Sequence, residues 1–377
     1  MSRTADVVIV GGGIIGLTTA YYLSRQGVRV VVLERGEIGS ESSWAGAGII
    51  SPGNPKRATT PLGQLRARSA VLFPELSAEL REKTGVDNGY CRCGGLEVRR
   101  TPEQLAKRRL EIDEAEEAGE DIRCEVLDAA AVHRLEPALA TDVFGAIYLP
   151  DLAQVRNPRH LKALAAACVS QGVHLVPGAP VYDYQRQGGR IVAAQCPGGP
   201  VFGAHFLLAG GAWSDELLIP LGLVSGIHPV RGQIVLLAGV GRIVQRIIMA
   251  GKEYLVPRPD GRILVGSTEE RVGFDKRTTA LAVGHLLDFA LRLIPALGQA
   301  HVEKAWAGLR PGSPDGRPIL GQVPGFDNLY VAAGHFRSGV TLSPATAQVM
   351  TELLTGQKTS IPLEPFAPDR LIRTAHA

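Results

Sequence analysis

The stretch Asp6-Val7-Val8-Ile9-Val10-Gly11-Gly12-Gly13-Ile14-Ile15-Gly16 decides the fold. Its opening β-branched run suits a strand buried on both faces of a parallel sheet, and it runs straight into a G-x-G-x-x-G. Leu17 to Arg25 reads as a helix ending near Gly27, and Val28 to Leu33 as a second strand closing with Glu34. Together these form a βαβ unit of about 30 residues. Gly11 permits the tight turn, Gly13 lets the backbone approach a pyrophosphate, and Gly16 lets the helix lie close on the sheet. The helix N-terminus offers N–H groups and a positive dipole end to phosphates. Glu34 lies 23 residues after Gly11, where a carboxylate accepts hydrogen bonds from ribose hydroxyls. Strand, glycines, helix and acid together predict a dinucleotide site.

NAD, NADP and FAD all remain open at this point. Glu34 opposes the 2′-phosphate of NADP, an exclusion that the neighbouring Arg35 weakens. The stretch Gly39 to Ile50 is rich in Gly, Ser and Ala, and reads as a loop of bare backbone packed against a large flat cofactor rather than as a helix. Glycine is abundant throughout, 45 of 377 residues or about 12%, against a usual value near 7%.

Forty Lys+Arg against 37 Asp+Glu leave a net charge of +3, on a chain that is 45% hydrophobic. This balance predicts a soluble globular protein and excludes wholesale disorder. The basic residues are scattered, so no nucleic-acid partner is expected. Five cysteines (Cys91, Cys93, Cys124, Cys168, Cys196) show no CxxC pair, so neither a disulfide framework nor a metal site is indicated. Glycines interrupt the apolar N-terminal stretch, no basic segment precedes it, and no apolar run of 18 residues follows, so the expectation is a cytoplasmic protein without a membrane span.

Further along, Pro61 to Lys83 and Pro102 to Ala118 read as helices, the second behind a Thr101-x-x-Gln104 capping box. Pro158 to Gln171 followed by His174 to Pro177 forms another helix-strand element. Phe206 to Trp213 repeats the strand-into-glycine pattern. From Gly232 the texture changes to short strands, Ile234–Leu237, Glu253–Pro257 and Ile263–Gly266, consistent with an antiparallel sheet in a second domain. A last strand, Leu329 to Ala332, leads through a loop to Ser343-Pro344, read as N-cap and first position of a helix ending at Leu354.

Four stretches carry a resemblance: the N-terminal unit, Tyr254-Leu255-Val256-Pro257-Arg258, Trp306-Ala307-Gly308-Leu309-Arg310-Pro311-Gly312 with Asp315-Gly316-Arg317-Pro318, and Ala333-Gly334-His335-Phe336-Arg337-Ser338-Gly339. Together they resemble the flavin-dependent D-amino-acid oxidase superfamily, most closely its glycine oxidase branch associated with thiamine biosynthesis, across essentially the whole chain. The resemblance implies an α/β fold: a Rossmann-like FAD-binding domain (1–85, 147–218, 305–377) interleaved with an α+β substrate domain on an antiparallel sheet (86–146, 219–304). It implies non-covalent FAD contacted by Ile14, Ile15, Glu34, Arg35, Ser42, Ser43, Ala47, Gly48, Ile49 and Val181. The loop His335, Phe336, Arg337, Ser338, Gly339, Val340 and Thr341 is expected at the flavin ring. Arg310 and Tyr254 are expected to hold a substrate carboxylate, with Arg337 contributing and no protein base required.

The implied reaction is oxidation of a small amine, glycine first, to iminoacetate and then glyoxylate with ammonia. Dioxygen would be the acceptor, giving hydrogen peroxide, and the imine would feed thiazole synthesis. Sarcosine or a D-amino acid as substrate, and a quinone as acceptor, stay open. So does a reading of a different class, a flavin domain within an RNA-modifying or electron-transfer assembly. A homo-oligomer is expected. Lys252 and Trp44 depart from the family pattern and are expected to alter access to the pocket.

Overall fold

The computed structural model describes residues 3–119 and 123–375. The strand Arg3–Val10 (β1), the helix Ile14–Arg25 (α1) and the strand Val30–Leu33 (β2) form the N-terminal unit. β1 lies at the centre of a sheet, parallel to β2 on one side and to the strand Val201–Leu208 on the other. Beyond β2 comes His174–Val176, and beyond Val201–Leu208 comes Leu329–Ala333, both again parallel. Antiparallel pairing is confined to the sheet's margin: Ile319–Gln322, and the ribbon Asp183–Gln187 with Arg190–Gln195. Val7 to Val10 and all of β2 are shielded on both faces, which is why these strands read as unbroken apolar runs.

Helices cover one face. α1 packs between the helices Asn157–Ser170 and Gly339–Leu354, with Pro61–Thr84 behind them, and Leu17, Tyr21, Leu164, Val349 and Phe366 fill the shared core. Gly16 serves this packing: a Cβ there would stand 2.0 Å from the Gly11 carbonyl. The opposite face carries a second core built around Val8, Phe206, Ile191 and Leu218.

The second eight-stranded sheet runs His301–Gly312, His228–Ala238, Ile263–Gly266, Glu253–Pro257, Ile247–Ala250, Gly95–Arg99, Gly145–Leu149, Glu125–Asp128. All neighbours are antiparallel except Ile247–Ala250 with Gly95–Arg99. The helix Ala280–Leu293 closes one face with Leu286, Phe289, Ala290 and Leu293. The chain thus supplies the two sheets alternately, confirming an α/β fold of interleaved units.

Three local readings need correction. The C-terminal helix begins at Gly339, behind Ser338, not at Ser343-Pro344. Proline inside a helix removes a donor. Here Ser343 Oγ donates to the Val340 carbonyl at 2.9 Å, taking up the acceptor that the missing Pro344 N–H leaves free. The stretch Gly39 to Ile50 is not loop throughout: Ser42–Ala45 makes one helical turn, and Ile49–Ile50 pairs with Ala153–Gln154. The strand at Ile234–Leu237 is longer than its apolar core, spanning His228–Ala238.

Candidate active site between the two sheets

A cavity of about 550 Å³ opens where the carboxyl ends of β1 and β2 meet the second sheet. Every residue assigned above to the cofactor or substrate lines it except Gly16, which packs against the turn below. At β2, Glu34 is nearly buried and accepts from Gly12 N at 2.7 Å and Gly36 N at 2.9 Å. Arg35 reaches over the Trp213 ring, 3.6 Å from its centre, and pairs with Glu41 at 3.0 Å. Val181 lines the same cavity.

Two helix N-termini face this cavity. Gly13, which has no side chain, caps α1, and Ser338 caps Gly339–Leu354 without a side-chain bond to that helix; neither first turn holds an acid. Ser43 Oγ accepts from Ile14 N at 2.9 Å. Two positive dipole ends, a carboxylate at the end of β2 and a glycine-rich wall from Gly46 to Ile49 fit a dinucleotide carrying an electron-accepting ring. None of the five cysteines lines the cavity, so no thiol is placed to tether the cofactor. Phe336, second in the segment His335–Thr341, holds φ +48°, a left-handed conformation rare for an aromatic residue.

The second sheet supplies the other wall. Arg310 pairs across from Val230, and Gly308 from Gly232, so its guanidinium crosses the face that Gly232 leaves bare. A Cβ on Gly232 would lie 2.2 Å from Arg310 Nη2. Tyr254 stands opposite Gly266, where a Cβ would meet the phenol at 2.9 Å. The two glycines let arginine and tyrosine lie flat on the sheet, side by side. Arg310 donates to Thr268 O at 3.0 Å and Ser267 Oγ at 2.6 Å. Burial pushes its guanidinium below the usual arginine range, the Tyr254 phenol works against that, and Arg337 adds to it. Gly232→Ala is accordingly expected to lower kcat/KM by about 100-fold by displacing the guanidinium, a loss of ~3 kcal/mol. The flavin spectrum and the melting temperature should stay near those of the parent.

Arg337 lies at the mouth, donating to Lys252 O at 3.0 Å and standing 3.6 Å from Glu269. The Lys252 side chain is mostly exposed and also stands 3.6 Å from Glu269, so its backbone, not its amine, steadies the site. Trp44 turns away from the cavity and packs edge-on against Trp306, whose indole donates to Ala45 O at 3.0 Å. His335 is buried, with Nε2 3.1 Å from Thr346 Oγ1, and burial pushes its pKa down to about 3. It is neutral in the working pH range and has its hydrogen-bonding partner within the helix, which leaves no base at that position.

His160, stacked on Phe73 and bonded to Asn88, is likewise pushed down by burial to about 4. Unfolded, both histidines take up protons near their ordinary 6.5. The unfolded chain therefore binds more protons below that pH, and folding stability falls as pH drops. A loss of at least ~2 kcal/mol is expected between pH 6.5 and about pH 4.5, measurable as thermal midpoints across that range; His335→Asn should flatten the slope.

Residue spacing gave no sign of Gly232, Gly266, Ser267 or Thr268, which meet Arg310 and Tyr254 through strand register alone. Trp213 had a signal in the repeated strand-into-glycine pattern, yet its stacking on Arg35 depends on the fold.

Among the described residues no helix is long and apolar enough to cross a membrane, and no cluster of His, Cys, Asp or Glu is arranged to hold a metal ion. A family model described as FAD dependent oxidoreductase matches residues 6–353. The glycine oxidase of Pseudomonas putida is 39% identical over 367 residues, 97% of this chain and 98% of that protein. The bifunctional protein ThiO/ThiG of Synechocystis sp. is 35% identical, over 100% of this chain and 55% of that protein. The crystal structure of glycine oxidase from Geobacillus kaustophilus matches with a TM-score of 0.91 at 33% identity, covering 97% of this chain and 98% of that one. A cradle built for a flavin dinucleotide and an arginine–tyrosine pair facing it agree with these likenesses: the chain belongs to the FAD-dependent oxidoreductases of the D-amino-acid oxidase family and is an FAD-dependent amine oxidoreductase.

Proposed function

We propose that the enzyme oxidises glycine to iminoacetate, which hydrolyses to glyoxylate and ammonia or passes to thiazole formation in thiamine synthesis. The observation that carries this reading is the Arg310–Tyr254 pair, laid flat over Gly232 and Gly266 against the ring-facing loop. FAD supplies the two-electron acceptor, and dioxygen is the proposed final acceptor, giving hydrogen peroxide.

The chain's own groups bind and orient. The planar fork of Arg310 pairs with the substrate carboxylate through two parallel hydrogen bonds, a geometry lysine does not offer. The Tyr254 phenol donates one more. Arg337, balanced in part by Glu269, adds positive potential at the mouth. With His335 neutral and turned to Thr346, an amine that binds unprotonated needs no base from the protein; orientation in a water-poor pocket is the catalytic task.

Sarcosine and small D-amino acids share the carboxylate and the amine and are the competing substrates. An anaerobic panel of glycine, sarcosine, D-alanine and D-proline, read by loss of the flavin absorbance, ranks them. Fastest bleaching by glycine is expected, with recovery of the colour in air. No bleaching by glycine sinks the reading, and slow recovery in air points to a quinone acceptor. Acid precipitation should release all the FAD into the supernatant.

A further inference from the structure

Arg258 follows the strand Glu253–Pro257 and is almost completely buried. Nη1 donates to Gln154 Oε1 at 2.7 Å and to Val155 O at 3.1 Å, and Nη2 donates to Ala47 O at 2.7 Å. Gln154 is buried too, and its Nε2 donates to Pro257 O at 2.8 Å, which turns its carbonyl toward the guanidinium. All these acceptors are neutral. The acid nearest in sequence, Asp260, is engaged by Arg156 at 2.9 Å and Arg262 at 3.2 Å. No carboxylate forms an ion pair with Arg258 among the described residues.

Burial pushes the Arg258 pKa down to about 10, Arg156 adds to the drop, and Asp260 offsets it in part. The group is still a cation at neutral pH. Burying an ion with no counter-ion is costly, and neutral dipoles soften that cost without cancelling the charge. The Ala47 carbonyl that Arg258 grips belongs to the Gly46–Ile49 wall of the cofactor cavity. FAD brings negative charge to that cavity and carries more of it once reduced.

We propose that Arg258 is an electrostatic positioning residue for the cofactor: its unpaired buried charge behind the cavity wall favours reduced over oxidised FAD and raises the midpoint potential of the bound flavin. The inference rests on FAD binding alone and does not depend on which amine is oxidised.

The test is the midpoint potential of the bound FAD, measured anaerobically against reference dyes, in Arg258→Met, Arg258→Lys and Gln154→Leu holoenzymes. Arg258→Met removes the charge and should weaken the preference for reduced flavin about tenfold, lowering the potential by about 30 mV for a two-electron couple. Arg258→Lys keeps the charge and should hold the potential near the parent value. Gln154→Leu breaks one arm of the network but leaves the cation, so FAD affinity should fall while the potential holds. Where Arg258→Met gives no folded protein, Gln154→Glu sets a carboxylate against the guanidinium and should lower the potential instead. An unchanged potential in the charge-removing or charge-neutralising variant overturns the proposal. So does an equal fall in Arg258→Lys or Gln154→Leu, because either result makes Arg258 a structural staple of the loop and nothing more.

Discussion

Replacing Arg310 by methionine is expected to lower kcat/KM for glycine by about a thousandfold while the protein stays yellow and folded. Removing one member of a buried, hydrogen-bonded charge pair costs about 2–5 kcal/mol, and ~4 kcal/mol is a factor of about a thousand. The loss should fall largely on KM, because a carboxylate bound by Arg310, as proposed, would be held in the ground state as well as in the transition state. FAD content should hold, since the hydrogen bonds of Arg310 run to Ser267 and Thr268 and not to the Gly11–Ile15 or Ser338–Thr341 cradle. Arg310→Lys keeps the charge without the planar fork and should recover only part of the activity. Steady-state kinetics together with the flavin-to-protein absorbance ratio make the check; activity and flavin lost in equal measure would place Arg310 in cofactor binding instead.

Gly11→Ala should have the largest effect on the cofactor. Gly11 holds φ +120°, which L side chains rarely adopt, and a Cβ there would lie 2.3 Å from the Ala209 carbonyl. That carbonyl follows the interior strand Val201–Leu208 and accepts no displacement cheaply, because the strand is paired on both sides. Gly11 N also donates to Leu33 O at 2.8 Å, so the turn is tied to β2. Strain and overlap together should destabilise the fold by about 3 kcal/mol and weaken FAD at least about 100-fold. Gly27→Ala is the control: its φ of +78° is also left-handed, but nothing lies within 4 Å of the added carbon. It should cost about 1 kcal/mol and leave the protein yellow. Colourless Gly11→Ala against yellow Gly27→Ala is the outcome to look for in a flavin titration and a thermal scan.

The cofactor half of the site was legible because its signals are local. Gly11, Gly13 and Gly16 stand at the fixed spacing of one turn between strand and helix, although the close contact that bars a side chain at Gly11 comes from the distant Ala209, and Glu34 follows at a spacing that strand and helix lengths impose. The segment His335 to Thr341 was legible only by resemblance. Its helix start was misread, because Ser343-Pro344 has the composition of a cap while the Ser343 hydroxyl repairs the helix interior that Pro344 interrupts. Trp44, an outlier in a run of small residues, looked like an obstruction. Its packing on Trp306, from a strand more than 250 residues away, turns it out of the cavity.

From the residues themselves came the βαβ dinucleotide unit and the expectation of a glycine-rich loop against a flat cofactor; the resemblance added Arg310 and Tyr254 as the residues proposed for the substrate side. Glycine conformation, hydrophobic periodicity and helix polarity are written in consecutive residues and survive without knowledge of the fold. Only the tertiary structure decided how Arg310 and Tyr254 meet. That juxtaposition needs four strands in one register, with Gly232 and Gly266 each placed where a single methyl group would displace a partner. Register between distant strands is set by the packing of whole sheets, a property of the folded chain that no short stretch of it carries.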